Sequence, residues 1–534
     1  MTARVPSWSP LHAFVSISLL LLAALLWLVP PARAQVVDAW LHYTPLDAHA
    51  GQASTRLRAM GAIEVATWDD QVRLDPFGYG RNPAGLLRSR DSSVVETPFS
   101  YADFEDQYYD QSHSAVQRGG ALHGEFRPDG KKWAMGVDLD YTSVSSSRHD
   151  TPCPTPDDCR FIRDFNLPVS PSLAPEPADQ TFGAGVRSPL LSATYAREFF
   201  DGLTLGGRFG YWHENEDRRI LDPYDLDVSS DAAELTGGAL WALPVASRMA
   251  SLSAWAQYVA HSVVGRSVTA LNDDEYDWDR PQVAYGAALQ IRKGAWLQGI
   301  VDGRHRSHDG ETIARINWAP QFYMNPFPSE TDPNNVFNRT WSAFLSGLRH
   351  NEASTQWMIA PTQIPVRLGL RYGLFRQYEW IRPNEEVIPT VNALDVKRQG
   401  YRFAGGLSMD VAEKKGVVAA EARIAREFRE DFTNVIDDLS YITYTYHFGG
   451  EYRVKDWLPA RAGVQLIRHD PNRQDGVAPL KGAGLTVGAG YFWTAFQWRI
   501  DAAYEHYHFR ASPYDPAEEL GFGNRASLFV QRAF

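Results

Sequence analysis

The stretch "WAMGVDLDYTS", residues 133–143, alternates strictly between two kinds of side chain. One face carries Trp133, Met135, Val137, Leu139 and Tyr141, and the other carries Ala134, Gly136, Asp138, Asp140 and Thr142. A period of two is typical of a β-strand whose two faces meet different surroundings. The same alternation recurs in residues 282–292, 442–453 and 496–505. The pattern therefore favours an all-β chain.

Three features distinguish a membrane barrel from a soluble β-protein, which would also alternate. Many alternating segments match the ~9–11 residues that a tilted strand needs to cross a bilayer. Tyr, Trp and Phe recur near the segment ends, as interfacial girdles require, and the opposite faces carry Gly and whole charges, as a wet lumen allows. Because a sheet edge cannot stay unpaired in hydrocarbon, such a sheet must close. The sequence predicts a single large antiparallel transmembrane β-barrel of about 16–18 strands, within a range of about 14–20.

The first 34 residues indicate export. Arg4 precedes an uncharged apolar run at 13–29, and Ala32 and Ala34 flank Arg33. This order fits a secretory signal peptide, residues 1–34, cleaved before Gln35. The alternative is a retained N-terminal membrane anchor, for which the run is short. Residues 35–92 then form an N-terminal periplasmic or lumenal segment, and residues 93–534 form the barrel.

Composition excludes some partners. The chain has 64 Asp and Glu against 52 Lys and Arg, a net charge of −12. An acidic balance argues against nucleic acid as a partner. Cys153 and Cys159, in an exported Pro- and Asp-rich stretch, predict a disulfide that closes a small loop. A metal site would need more soft ligands than this stretch offers, so we expect neither a metal nor a cofactor.

The C-terminal stretch "RASLFVQRAF" ends the chain as a lipid-facing strand, with Ala526, Leu528, Val530 and Phe534 on one face. It resembles the C-terminal signature of bacterial outer-membrane proteins. That resemblance implies that Leu528, Val530 and Phe534 form a signal read by the barrel-assembly machinery of a Gram-negative outer membrane. Arg532 departs from the signature, which favours an apolar or aromatic residue at that place.

Residues 54–87 resemble the opening of the long-chain fatty-acid transporter (FadL-like) family of outer-membrane hydrophobic-compound transporters. The elements in common are Arg58, Met60 and Gly61, then Asp69 and Asp70, then "NPAGL" from Asn82. The resemblance implies that the N-terminal segment forms a plug inside the barrel, held by Asn82, Pro83 and Ala84. The chain departs from the family by having "AIEV" after Gly61, where a Gly-rich run is expected. A plain turn at "NPAG" remains the alternative.

Charged residues on the strand faces opposite the apolar ones are predicted to line the lumen. They are Arg208, Arg292, Arg367, Arg371, Arg402, Arg423, Arg453, Arg461, Arg499, Asp138, Asp140, Asp410, Glu421, Glu451, Asp501 and Glu505. Arginine and carboxylate on neighbouring strands can sort solutes by their transverse field. Alternatively, the pairs neutralise each other and fill the interior.

These patterns favour a channel or transporter for small, hydrophobic or amphipathic molecules, which the N-terminal segment plugs. The alternative is a polar, anion-tolerant porin, followed by a lipid-modifying barrel enzyme or a structural barrel that serves a partner protein. No nucleophile elbow, HExxH pair, P-loop or dinucleotide fingerprint is visible, and we expect no enzyme activity. The expected surroundings are outer-membrane lipid, and the sequence does not specify the oligomeric state.

Overall fold

A computed structural model of the chain describes seventeen separate stretches. These are residues 54–65, 81–89, 93–108, 111–128, 130–150, 180–221, 224–243, 250–268, 272–279, 281–293, 296–318, 340–361, 364–383, 394–431, 439–471, 480–510 and 521–533. Three predictions lie outside them: the signal peptide at 1–34, the disulfide between Cys153 and Cys159, and the place of Phe534.

Strands make up almost all of the described residues. The first ten are β1 (Val94–Tyr108), β2 (Gln111–Phe126), β3 (Trp133–Asp150), β4 (Gln180–Phe200), β5 (Leu203–Leu221), β6 (Tyr224–Ala242), β7 (Ala250–Val268), β8 (Asn272–Asp279), β9 (Gln282–Lys293) and β10 (Leu297–Trp318). The others are β11 (Thr340–Ile359), β12 (Val366–Pro383), β13 (Leu394–Val411), β14 (Gly416–Asp431), β15 (Leu439–Lys455), β16 (Leu458–Pro471), β17 (Leu480–Trp493), β18 (Trp498–Arg510) and β19 (Gly521–Ala533).

The sheet closes on itself. Each strand pairs antiparallel with its neighbours in sequence, and β1 pairs with both β2 and β19, from Val94 opposite Ala533 to Asp106 opposite Gly521. Strands β8 and β9 both lie between β7 and β10, so they share one position in the ring. The described strands therefore fill 18 positions. The prediction of a single antiparallel barrel of about 16–18 strands is confirmed.

The two ends of the barrel differ. At one end, which we call the turn end, hairpins such as 201–202 and 456–457 join the strands, and both β1 and β19 reach it. At the other, the loop end, the connections include the long stretches 151–179 and 319–339. Strands of 13–22 residues, such as β18 and β10, are longer than the ~9–11 residues that a bilayer requires. Their loop-end portions therefore extend beyond the apolar band.

The outward faces are apolar near the turn end. In β3, Met135, Val137, Leu139 and Tyr141 are about half exposed, whereas Ala134 and Asp138 between them are buried. Aromatic rings border this band on both sides. The turn-end ring includes Phe126, Trp133, Trp241, Trp457 and Trp493, and the loop-end ring includes Tyr101, Tyr141, Tyr211, Tyr258 and Tyr285. From Trp133 to Tyr141 the strand rises roughly 26 Å before tilt, close to an apolar band of about 25 Å.

Arg532, the residue that departs from the C-terminal signature, lies opposite Trp498 on β18, and its guanidinium stands 5.5 Å from the centre of that ring. A cation–π contact at the aromatic ring of the turn end gives the charge a partner beside the membrane.

Three short helical elements precede the barrel. They are α1 (Thr55–Ala59), a 3₁₀ turn (Pro83–Gly85) and α2 (Leu86–Ser89). None of the helices in the described stretches is long and apolar enough to cross a bilayer. Leu57, Met60, Ile63, Ala84 and Leu86 on these elements are fully buried, so the segment packs against the barrel instead of projecting from it.

Candidate functional site

The first part of the N-terminal segment, residues 54–65, lies against the inner faces of β14–β19. Ser54 caps α1 by accepting from Leu57 N at 3.2 Å. After α1 the chain turns at Gly61, whose φ of +82° favours glycine, because a side chain in the left-handed region is strained. Three wall side chains then contact backbone oxygens of this turn: Thr486 donates to Ala59 at 3.1 Å, His447 Nδ1 lies 2.6 Å from Gly61 O, and Arg423 donates to Ala62 at 2.6 Å.

Glu421 fixes the end of this stretch. One carboxylate oxygen accepts from Glu64 N at 2.9 Å and from Val65 N at 2.7 Å, while the other accepts from Arg423 at 2.6 Å. Hydrogen bonds to a charged group contribute more than neutral ones, and Glu421 is only 3% exposed. This inward-facing carboxylate therefore acts as a clamp on the segment.

Arg56 joins a second charged network. It donates to Glu451 at 2.9 Å, and Glu451 also accepts from Arg461 at 2.7 Å. Arg461 donates in turn to Asp501 at 2.6 Å. Because Arg461 and Asp501 have no exposed side-chain surface, their charges depend on compensation within this network.

The second part, residues 81–89, lies against β3–β7. Asn82 is fully buried, and its side-chain nitrogen lies in hydrogen-bonding range of Ala239 O at 3.0 Å, Ser253 Oγ at 2.8 Å and Ala254 O at 3.2 Å. Its side-chain oxygen accepts from Ala84 N at 3.0 Å, which starts the 3₁₀ turn with Pro83 in the first position. Asn82 thus serves both as the cap of the turn and as the link between the turn and the wall.

Glycines in the wall make room for the segment. A Cβ built on Gly206 would overlap the backbone at Pro83 and Ala84, and one on Gly238 would overlap the side chain of Asn82. On the other side of the barrel, Gly449, Gly463 and Gly488 stand in the same relation to Met60, Gly61 and Ala59. These positions need glycine because another backbone approaches closely, and not because of their own torsion angles.

The two contact regions lie on opposite sides of the ring. Residues 54–65 contact β14–β19, residues 81–89 contact β3–β7, and β8–β13 lie between them on one side. The described parts of the N-terminal segment therefore touch the lumen wall at two separated places.

All sixteen charged residues named from the sequence belong to the inward set of their strands. Five of the arginines are ion-paired on that face: Arg208 with Glu234 at 2.8 Å, Arg367 with Asp410 at 2.6 Å, Arg423 with Glu421, Arg461 with Glu451 and Asp501, and Arg499 with Asp501 at 2.6 Å. Asp138 lies 2.5 Å from His123 Nδ1, and Glu505 lies 3.5 Å from Arg525. Asp140 sits one inward position from Asp138 on β3, and Arg292 and Arg453 lie at exposed, turn-end positions.

Arg371 and Arg402 lie in a different setting, near a row of residues on β7, β9, β10, β11 and β12. Strand register places Trp255, Gly286, Arg304, Glu352 and Phe375 side by side in this row. Trp255 covers Gly286, Arg304 pairs with Glu352, and Arg402 stands 5.2 Å from the centre of the Phe375 ring. We call this set of residues the aromatic–arginine row.

The N-terminal segment reaches this side of the lumen as well. Arg81 lies 3.9 Å from Asp302, and Glu64 lies 3.8 Å from Arg371 and 3.7 Å from Arg423. Burial raises the pKa of Glu64, and Arg423 opposes that shift. Burial likewise lowers the pKa of Arg81, with nearby Arg304 acting in the same direction.

Sequence reasoning missed the aromatic–arginine row and the partners of Asn82. Ser253 lies 171 residues from Asn82, and no local pattern links them. The sequence did contain a signal for the close approach at the wall glycines. They recur on polar strand faces, where no turn or other local feature requires a small residue.

Comparisons with known proteins give structural likeness only. No protein-family model matches the chain, and no curated protein does. Among solved structures, the Ralstonia pickettii toluene transporter TbuX is 13% identical with a TM-score of 0.35, over 91% of this chain and 99% of that one. The Pseudomonas putida toluene transporter TodX is 12% identical with a TM-score of 0.36, over 90% and 97%.

The Bordetella pertussis alcaligin outer-membrane receptor FauA is 10% identical with a TM-score of 0.44, over 83% of this chain and 76% of that one. The closed ring of antiparallel strands with an outward apolar band shows the structural class of the protein. It is a large β-barrel membrane protein.

Proposed function

We propose that the protein is an outer-membrane transporter for small hydrophobic or amphipathic molecules, and that its N-terminal segment is a plug that must move for solutes to pass. The observation that carries this proposal is the docking of residues 54–65 and 81–89 on opposite inner walls. Asn82, Pro83 and Ala84 anchor the second of these stretches, in agreement with the family resemblance of the sequence.

The plug contacts favour a gate over simple filling. The segment packs apolar side chains such as Ile63 and Leu86 on the wall. It is also held by hydrogen bonds to inward side chains, among them Glu421, His447 and Ser253, which a purely structural filler would not need. Polar contacts can be exchanged for water at modest net cost, about 0.5–1.5 kcal/mol each. A segment attached in this way can leave one wall while the barrel stays closed.

The aromatic–arginine row suggests the solute class. Trp255 and Phe375 offer apolar ring surface, while Arg304 and Arg402 offer positive charge close by. Ligand sites commonly combine apolar lining with a few convergent polar groups. An amphipathic molecule with an aromatic or aliphatic body and an anionic end fits this combination.

A polar, anion-tolerant porin is the second candidate, because Arg304, Arg306, Arg371 and Arg402 all belong to the inward face on neighbouring strands. Under either function, residues 1–34 direct export and Leu528, Val530 and Phe534 direct assembly into the outer membrane. We also propose that Cys153 and Cys159, by their spacing in an exported chain, form a disulfide.

Conductance in planar bilayers separates the candidates. The full-length barrel should be nearly silent, and deletion of residues 35–92 should open a large, stable current. A large current from the full-length protein would favour the porin, and a silent deletion variant would remove the plug from the proposal.

Paired glycine variants provide a sharper test. Gly238→Val pushes into Asn82, whereas Gly237→Val, the next residue, faces outward with no atom of the described residues within 4 Å of the added Cβ. Only Gly238→Val should raise the conductance. Uptake of a hydrophobic fluorophore into proteoliposomes, reduced by Trp255→Ala and Phe375→Ala, would support the solute class, and unchanged uptake in both would contradict it.

A further inference from the structure

Four arginines stand at one level on the outer surface of the barrel. They are Arg349 on β11, Arg376 on β12, Arg426 on β14 and Arg468 on β16, each about ten residues from the turn end of its strand, or roughly 33 Å along it. All four side chains face outward, because each lies two residues from an outward-facing residue of its strand. Examples are Asn351 beside Arg349 and Leu374 beside Arg376. We call this group the arginine belt.

The belt lies at the edge of the apolar band. The outward positions two residues closer to the turn end on three of these strands are Leu374, Ile424 and Leu466. Tyr401 lies opposite Arg426, and Tyr444 lies opposite Arg468. Arginine and tyrosine therefore alternate along β13–β16 at the height of the loop-end aromatic ring, where lipid headgroups meet hydrocarbon.

Among the described residues the belt lies on β11–β16, and β2 carries one further outward arginine near this level, Arg118, eight residues from its turn end. On β3, β5, β7, β9 and β10, the outward residues about ten positions from the turn end are Ser143, His213, Ala260, Val283 and Ser307. A general need for soluble strand ends would place charge all around the ring. The concentration of cations on β11–β16, over roughly 24 Å of surface, points instead to a partner on that side.

The local chemistry leaves positive charge in excess. Asp309 pairs with Arg349 at 2.9 Å, and Asp470 pairs with Arg468 at 2.8 Å. However, Lys481 lies directly opposite Arg468 in the strand register, and like charges in that arrangement destabilise a sheet. Arg426 stacks over the Phe428 ring at 4.4 Å, and Arg349 lies 5.2 Å from the Trp380 ring. Arg349 already donates to His308 O, Leu348 O and Asp309, whereas stacking holds the Arg426 guanidinium flat and still leaves its N–H groups available to an anion.

We propose that the arginine belt binds the phosphate groups of an anionic membrane lipid in the leaflet at the loop end. Guanidinium groups match phosphate geometry with two parallel hydrogen bonds, and a cationic surface beside a membrane attracts anionic lipid. Bound phosphates would relieve the repulsion between Arg468 and Lys481, and the alternating tyrosines would sit among the headgroups. This inference does not depend on the plug or on the transported solute.

The test measures lipid retained by the purified barrel in native mass spectrometry. The probe is bis-phosphorylated lipid A, with the same lipid after removal of both phosphates as the comparison. The quadruple variant R349Q/R376Q/R426Q/R468Q removes the belt. A matched quadruple variant, K132Q/R197Q/K293Q/R532Q, removes the same number of cations at the turn end.

The wild type and the turn-end variant should retain the phosphorylated lipid, and the belt variant should bind it roughly a hundredfold more weakly. Equal retention by both quadruple variants would overturn the proposal, as would equal retention of the two lipids by the wild type. Displacement of the lipid by inorganic phosphate at a matching concentration would also overturn it, because the site would then recognise free phosphate. Heat-modifiable gel mobility confirms that each variant is a folded barrel.

Discussion

Replacement of Asn82 by Asp removes the donors that hold the plug while changing few atoms. Asn82 is fully buried, and its side-chain nitrogen faces Ala239 O, Ser253 Oγ and Ala254 O. A carboxylate there meets two carbonyl oxygens without a proton to share. Lost hydrogen bonds cost about 1 kcal/mol each, and a buried polar group left without a partner adds about 1–3 kcal/mol. We expect Asn82→Asp to weaken docking of residues 81–89 by roughly 3–5 kcal/mol, or about a hundredfold to a few thousandfold.

The assay is limited proteolysis with trypsin, which can cleave after Arg81 and Arg88 once the segment leaves the wall. Cleavage that follows a fast local opening tracks the population of the open form, so the rate should rise by a similar factor. Single-channel recordings should show transient openings. The control is Asn351→Asp, the same substitution at an exposed outward position, which should leave the cleavage rate unchanged. A cleavage rate equal to that of the wild type, in a folded barrel, would refute the assignment of Asn82 as an anchor.

The other predictions concern the opposite wall and the barrel itself. Glu421→Ala should release residues 64 and 65 and raise the rate of trypsin cleavage after Arg58. Glu421→Gln keeps an acceptor and should raise that rate less. Equal effects of the two substitutions would argue against the role of Glu421 as a clamp. Arg461→Leu takes the fully buried partner from Glu451 and Asp501, which keep only the more exposed Arg56 and Arg499. It should destabilise the barrel by about 3 kcal/mol, measured by urea unfolding in lipid vesicles, with the outward Arg468→Leu close to wild type. Because the pKa of Glu64 is raised in the docked segment, its protonated form favours docking. Protection of the segment from trypsin should be greatest below the ordinary pKa of glutamate and should fall as the pH rises through the raised value. Glu64→Gln should remove that pH dependence, and an unchanged profile would show that another group titrates.

Strand β11 was not evident from the sequence. The stretch from Met324 to Ala360 alternates poorly and resists division into strands and turns by its sequence. Its residues from Thr340 to Ile359 form a strand in register with both β10 and β12. The pattern is blurred because outward residues of its loop-end portion, such as Arg349 and Asn351, lie at the border of the apolar band, where lipid headgroups accept polar side chains.

The sequence alone determined the barrel and the sense of its faces. Alternation is a local property of a strand, and lipid on one side with water on the other imposes it residue by residue. Whether a side chain such as Asp138 or Leu139 faces the lumen or the lipid follows from its odd or even position in the strand. Closure follows from the cost of unpaired backbone groups in hydrocarbon.

Only the tertiary structure decided which inward residues meet. Arg56 and Glu451 are 395 residues apart, and Asn82 and Ser253 are 171 apart. The stagger between strands sets such contacts, and it also brings Trp255, Arg304 and Phe375 into one row. That stagger belongs to the closed ring as a whole, because every strand must fit both neighbours at once. No single segment of the sequence contains it.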